Sequence, residues 1–251
     1  MRVICWLVLL ATILAIPAAG QIAKEINVPK DTCCLLIQAQ GLVAKFQDWN
    51  QLAIYREENA RLAGSPAEKG RVVFLGDAIT EEWKLDKYFP GKPYLNRGIA
   101  GQTTPQMLVR FYPDVIALHP SAVVILAGVN DIAGNTGPET LEMIAQNFRA
   151  MCELARVHGI KVVLGQVLPV SDYTATKQTE KHPLGDIVRI NSWIRNYAAE
   201  AHAEIADYYG AVVDDRGMLK EGFSEDGAHA NDRSYSVMAP VAEAAIERAL
   251  K

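Results

Sequence analysis

Cysteine is scarce in this chain: there are four in 251 residues, at positions 5, 33, 34 and 152, and no histidine accompanies them at ligand spacing. No metal site is therefore expected. Basic clusters are missing too. Lysine and arginine total 25 against 29 acidic residues, a net charge of −4, and no run of them offers a surface to nucleic acid. No segment is rich enough in glycine or serine to form a long linker, and no repeat is visible. Gly98 to Gly101 lacks the longer dinucleotide-binding pattern, so no nucleotide cofactor is expected.

What the chain does have is apolar content. Half of the residues are hydrophobic and 22% are charged, enough for one substantial core and one full-sized domain behind a leader. Met1-Arg2, an apolar stretch from Val3 to Ile16 and the small residues around Gly20 read as a signal peptide, residues 1–20. An uncleaved anchor is the alternative, but 14 apolar residues fall short of the ~20 that span a bilayer. The mature protein is thus expected to be secreted or periplasmic, with no membrane span. Export leaves Cys33, Cys34 and Cys152, an odd number in an oxidising compartment. A bridge from one of the adjacent pair to Cys152 and a buried free thiol on the apolar face of Leu141, Ile144 and Phe148 both remain open.

Residues 21–66 read as a helical flank, helical over 31–63, and residues 67–251 as the main domain. Strands are predicted at Val72–Leu75, Tyr94–Arg97, Ala122–Ala127, Lys161–Leu168 and Ala211–Val213. Helices are predicted from an N-cap at Thr104 to about Leu118, from Pro138 to His158, from Asp186 to Ala203 and from Ser234 to Leu250. Strand and helix alternating in this way argue for a parallel sheet between two layers of helices.

Four short blocks sit just past predicted strand ends: Gly76-Asp77-Ala78-Ile79-Thr80, Asn96 to Gly101, Gly128-Val129-Asn130-Asp131, and Asp226-Gly227-Ala228-His229 in the segment after the last strand. In a parallel sheet all four emerge at one edge, where α/β proteins bind ligands. Singly, each has a plain structural reading. Asn130-Asp131 could cap a helix, Gly98 and Gly101 could ease a turn, and Asp226 and His229 could be loop residues. Together, in this order, they resemble the blocks of the GDSL or SGNH serine ester hydrolases, a likeness that covers most of the mature chain. It implies a flavodoxin-like three-layer α/β/α sandwich with a five-stranded parallel sheet.

By that resemblance His229 is the general base, Asp226 orients it, and the oxyanion donors are the backbone N–H of residue 78, the backbone N–H of Gly101 and the Asn130 amide. Asp77 holds the turn beside the substrate. The remaining histidines, His119, His158, His182 and His202, are given no catalytic role. Two positions depart from the family's pattern. Ala230 follows the histidine where proline is common, which removes no reacting group. Ala78 occupies the nucleophile's place, and a methyl group cannot attack an ester. Either a serine was replaced by design or a natural relative has turned to binding. The intact Asp226, His229, Gly101 and Asn130 favour replacement, leaving the chain inactive as written.

The Asn96-to-Thr104 block is most similar to the branch that includes the platelet-activating-factor acetylhydrolase catalytic subunits and bacterial acetylesterases. A small ester, an acylated carbohydrate among the candidates, is the expected substrate. Lysophospholipase or thioesterase activity and non-catalytic binding of carbohydrate or lipid are the rival expectations. The polar segment from Pro169 to Gly185, with Asp172, Tyr173, Lys177 and His182, is expected either to overhang the site and contact the alcohol part of the ester or to lie in solvent.

Overall fold

Five short strands carry the architecture in a computed structural model that describes residues 41, 43, 46–64 and 66–251. The expected signal peptide of residues 1–20, Cys33 and Cys34 lie outside the described residues. Strands β1 (Val72–Gly76), β2 (Tyr94–Gly98), β3 (Ala122–Leu126), β4 (Lys161–Gly165) and β5 (Glu204–Ala206) form one all-parallel sheet in the order β2-β1-β3-β4-β5. This is the α/β sandwich with a five-stranded parallel sheet.

Strand side chains alternate between faces, and both faces are covered. Val73, Leu75, Val123, Ile125 and Leu164 pack against Met107, Phe111, Phe148, Met151, Ile187 and Ile194. Those partners come from helices α4 (Thr104–Asp114), α6 (Leu141–Val157) and α7 (Leu184–Ala201). Val72, Phe74, Val124 and Val163 face the other way, toward Trp83, Phe89, Val212, Tyr235, Met238 and Ala242. That layer draws on α8 (Tyr208–Val212) and the closing helix α9 (Asp232–Ala249). Continuous apolar strands are what burial on two sides requires. The short helices α1 (Arg56–Ala63), α2 (Ala78–Glu81), α3 (Leu85–Tyr88) and α5 (Val129–Ile132) complete the numbering.

Four local expectations are corrected. The last strand is Glu204–Ala206, not Ala211–Val213; Asp207 accepts from the Gly210 N–H at 2.8 Å and turns the following residues into α8. The N-cap of α4 is Thr103, whose capping box with Gln106 satisfies first-turn donors, so Thr104 is already helical. Helix α6 starts at Leu141 behind a Thr140 cap, not at Pro138. Within the expected 31–63 helix, residues 52–55 form turns before α1 begins.

Cys152 is buried in α6, and burial pushes its thiol up to about 12. No helix among the described residues is long and apolar enough to cross a membrane.

Candidate active site

The site is built outward from the end of β1. Gly76 is needed there because a Cβ would sit 2.1 Å from the Thr80 hydroxyl and 2.8 Å from the Leu126 carbonyl. Asp77 then caps α2, its carboxylate accepting from the Ile79 N–H at 3.0 Å. Ala78 therefore stands in the first helical turn, where a backbone N–H has no intrahelical acceptor. Asp77 is 1% exposed, and this burial is the main reason its pKa rises to about 6, against the opposing Ile79 N–H and the charges of His229 and Arg110.

Buried polar side chains hold this turn from beneath. Arg110, fully buried, donates to the Gly76 carbonyl at 3.0 Å, to Gln102 Oε1 at 2.5 Å and to Asp114 at 3.0 Å. From the other layer Tyr235 donates to the Ile79 carbonyl at 2.8 Å. Asn96 donates to the carbonyls of Thr80 (2.6 Å) and Trp83 (3.1 Å) and accepts from the Gly98 N–H at 2.8 Å. Strand β2 and α2 approach so closely that a Cβ on Gly98 would lie 2.0 Å from the Glu81 backbone nitrogen.

The turn after β2 brings Gly101 to the same edge with φ +76°, a left-handed conformation that suits glycine. Asn130, in the first turn of α5, donates to the Gln102 carbonyl at 3.1 Å and to Asp77 Oδ2 at 3.3 Å. Asn135 ties these pieces together. Its amide donates to the Gly101 carbonyl at 3.1 Å and to Asn130 Oδ1 at 2.9 Å. Asp131 is directed elsewhere, accepting from the Thr104 N–H at 2.9 Å and from its hydroxyl. Burial, resisted by Thr104 and reinforced by Glu139, brings its pKa to about 7.

The fourth block is a tight loop. Asp226 Oδ1 accepts from the backbone N–H groups of Ala228 and His229, both at 2.9 Å, and Oδ2 lies 2.6 Å from His229 Nδ1. Partial burial works against the Asp226 carboxylate, but the bonds from the His229 N–H, the His229 ring and the Ala228 N–H outweigh it, so the pKa falls well below the usual carboxylate range. For His229 burial favours the neutral ring, yet the Asp226 bond and charge, with Glu82 and Asp77, raise its pKa above 6.5.

Ala78, Gly101, Asn130 and His229 line one cavity of about 310 Å³, although 151 positions separate the first residue from the last. On its other side His229 borders a more open groove with Glu82, Lys84 and Tyr235. Asp172 and Tyr173 are not among the cavity-lining residues. Asp172 accepts from Thr179 and Tyr173 donates to Asp214. From the same segment it is Val170, Gln178, Lys181 and His182 that reach the cavity. Sequence reasoning also missed Asn135 and Arg110; the turn residue Gly134 is the local hint for Asn135, and Asp114 four positions on is the local hint for Arg110. Among the described residues no group of three or more His, Cys, Asp or Glu side chains could hold a metal ion.

The sequence model of the GDSL-like lipase/acylhydrolase family matches residues 74–237. Among solved structures the chain is similar to a GDSL-like lipase of Bacteroides thetaiotaomicron VPI-5482, 37% identical, with 81% of this chain and 100% of that one covered at TM-score 0.74. It is similar as well to a candidate acylhydrolase of Bacteroides fragilis NCTC 9343, 36% identical, covering 81% and 99% of the two chains at TM-score 0.75. A shorter likeness joins it to the lipoprotein YqeF of Bacillus subtilis strain 168, 35% identical over 79 residues, 30% of this chain and 32% of that one. The chain thus matches about a third of the length of that curated relative. Strand ends that gather four sequence blocks at one cavity, a family model spanning more than half of the residues, and relatives aligned almost end to end lead to one statement: the chain belongs to the GDSL-like lipase/acylhydrolase family.

Proposed function

We propose that this chain is the scaffold of an exported serine esterase for short acyl esters, acetate foremost, with Ala78 in the nucleophile's place. The observation that carries this reading is the Asp226–His229 pair, closed at 2.6 Å, on the same cavity as Ala78, Gly101 and Asn130. With a serine at 78, its Oγ would add to the acyl carbon while His229 Nε2 takes the proton. His229 would then give that proton to the departing alkoxide. Water would repeat the sequence on the acyl-enzyme. The charge on the tetrahedral oxygen would meet the N–H groups of residues 78 and 101 and one N–H of Asn130. The weaker 3.3 Å contact from Asn130 to Asp77 is the one an oxyanion competes for.

As written, the chain has no hydroxyl at position 78 and the acyl-enzyme route is closed. Retention of Asp226, His229, Gly101 and Asn130 supports a parent enzyme with serine there. A cavity of about 310 Å³, at the small end for ligand sites, supports a short acyl chain over a long one. Export is supported by the apolar leader of residues 3–16 and by the lipoprotein relative. Ala78 itself favours a second reading, a binding protein without turnover.

One comparison separates the two. Ala78→Ser is expected to raise hydrolysis of an activated acetate ester by about a millionfold, and adding His229→Ala to cancel the gain. A folded Ala78→Ser protein with no activity on short or long esters would sink the esterase reading and leave the binding one.

A further inference from the structure

His182 is 8% exposed, yet it lines the same cavity as Ala78 and His229. Its Nδ1 lies 3.1 Å from the backbone carbonyl of Gln178. A carbonyl oxygen only accepts, so Nδ1 carries the ring proton. Burial is the main cause that lowers the pKa below 6.5; Lys181 and His229 add to it, and the Gln178 carbonyl opposes them. The ring is therefore neutral near pH 7 and Nε2 presents a bare lone pair, with no partner among the described residues.

The ring is also held in place. Its segment is fastened to the Asp226 loop by the Ser171 N–H on the Gly227 carbonyl (2.7 Å) and by Thr174 and Gln178 on the Asp226 carbonyl (3.1 and 2.9 Å). Gln178 thus serves both histidines: its backbone oxygen sets the tautomer of His182, and its side chain braces the loop that carries His229.

Which part of an ester meets His182 follows from the neighbouring base. In the mechanism proposed above, His229 returns its proton to the departing oxygen, so groups beside His229 face the alcohol. His182 and His229 line one cavity, and Gln178, whose carbonyl faces His182 Nδ1, also bonds the loop that carries His229. Val129, Leu168 and Val170 supply apolar wall elsewhere in the cavity.

Resting on that reading, we propose that His182 Nε2 is a hydroxyl-reading subsite. It accepts a hydrogen bond from a free hydroxyl near the acylated oxygen, so the site selects partially acylated polyols and sugars over esters of simple alkanols. An alkanol ester leaves the acceptor unpaired, and a site built to bond a hydroxyl discriminates strongly against substrates that lack it.

The test uses the Ala78→Ser full chain and two matched esters, glycerol 1-monoacetate and propyl acetate. Their ratio of kcat/KM is expected to favour the glycerol ester by about 10-fold or more, the worth of one buried hydrogen bond with its partner. His182→Asn keeps a donor for the Gln178 carbonyl and deletes the distal acceptor, and it should bring the ratio toward unity. His182→Gln, which restores an acceptor further out, should recover part of it. Should His182→Asn fail to fold, binding of glycerol 1-monoacetate to the Ala78 chain, which cannot turn it over, is compared with binding to His182→Gln and His182→Phe. Loss in Phe alone supports the subsite, and equal binding in all three refutes it. A ratio near unity in Ala78→Ser, or one unmoved by His182→Asn, overturns the subsite and leaves the esterase reading standing. Hydrolysis of neither ester overturns both.

Discussion

The two halves of the site are built in opposite ways. Beneath Ala78 the supporting turn is interior: Asp77 is 1% exposed, and Arg110 and Gln102 are fully buried, Arg110 donating both to the Gly76 carbonyl and to Gln102. Around His229 the chain is a surface loop in which the Asp226 and His229 side chains are 45% and 50% exposed. The difference follows the chemistry each half supports. A turn that aims a backbone donor at a developing oxyanion serves best when it is preorganised and need not move, and a buried network beneath it supplies that. A base that exchanges protons with water and leaving groups has to titrate, and a half-exposed imidazole can. Rigidity is supplied to the loop instead by short local bonds from Asp226 to the backbone and by the ties from the 171–182 segment.

That contrast can be broken from either side. The largest effect should come from the exposed half. In the Ala78→Ser chain, Asp226→Asn keeps the shape of the loop but loses the acceptor that fixes the His229 tautomer. Turnover of an acetate ester should fall about 10⁴-fold with little change in thermal stability. A comparable loss of stability would mean the pair is structural. The buried half should respond the other way. Arg110→Ala leaves the Asp114 carboxylate, 2% exposed, without its counter-charge and held by the Asn59 amide at 2.6 Å, and should cost about 3–5 kcal/mol in denaturant unfolding. A cost under about 1 kcal/mol would show that the network under the turn is dispensable.

The smallest effect concerns pH. The raised pKa of His229 means that its basic form is lost as pH falls through a value above 6.5, so the activity of Ala78→Ser should decline toward acid with a midpoint above 6.5. Glu82, one of the charges behind that rise after Asp226, faces solvent on the groove side. Glu82→Gln should therefore lower the midpoint by only about 0.2–0.7 pH unit, the reach of a screened charge pair. A larger shift would mean that the exposed half is drier than its accessibility indicates.

Much of this was legible in the residues. Apolar runs marked β1, β3 and β4, although β4 stops at Gly165 and not at Leu168, and the four blocks marked one edge of the sheet, because strand ends leave local chemical signatures. The fifth strand was not legible. Three residues beginning with Glu204 carry too little periodicity, while Ala211–Val213 looks apolar yet is bent into α8 by the Asp207 cap. Arg110 was missed for a different reason: with Asp114 four positions on it reads as an ordinary helical ion pair, and the Gly76 carbonyl it also holds is 34 positions away. His182 stood out only as one polar residue of a loop; the carbonyl that sets its tautomer is a fact of the folded turn.

The dual engagement of Gln178 has a consequence for how such a protein diversifies. Exchanging the 171–182 segment to suit a new alcohol also removes two hydrogen bonds from the Asp226 carbonyl. With His182 reading the alcohol as proposed, substrate range and the setting of His229 would be inherited as one unit, and a loop transplanted without residues equivalent to Thr174 and Gln178 would bring a new preference together with a slackened Asp226–His229 loop.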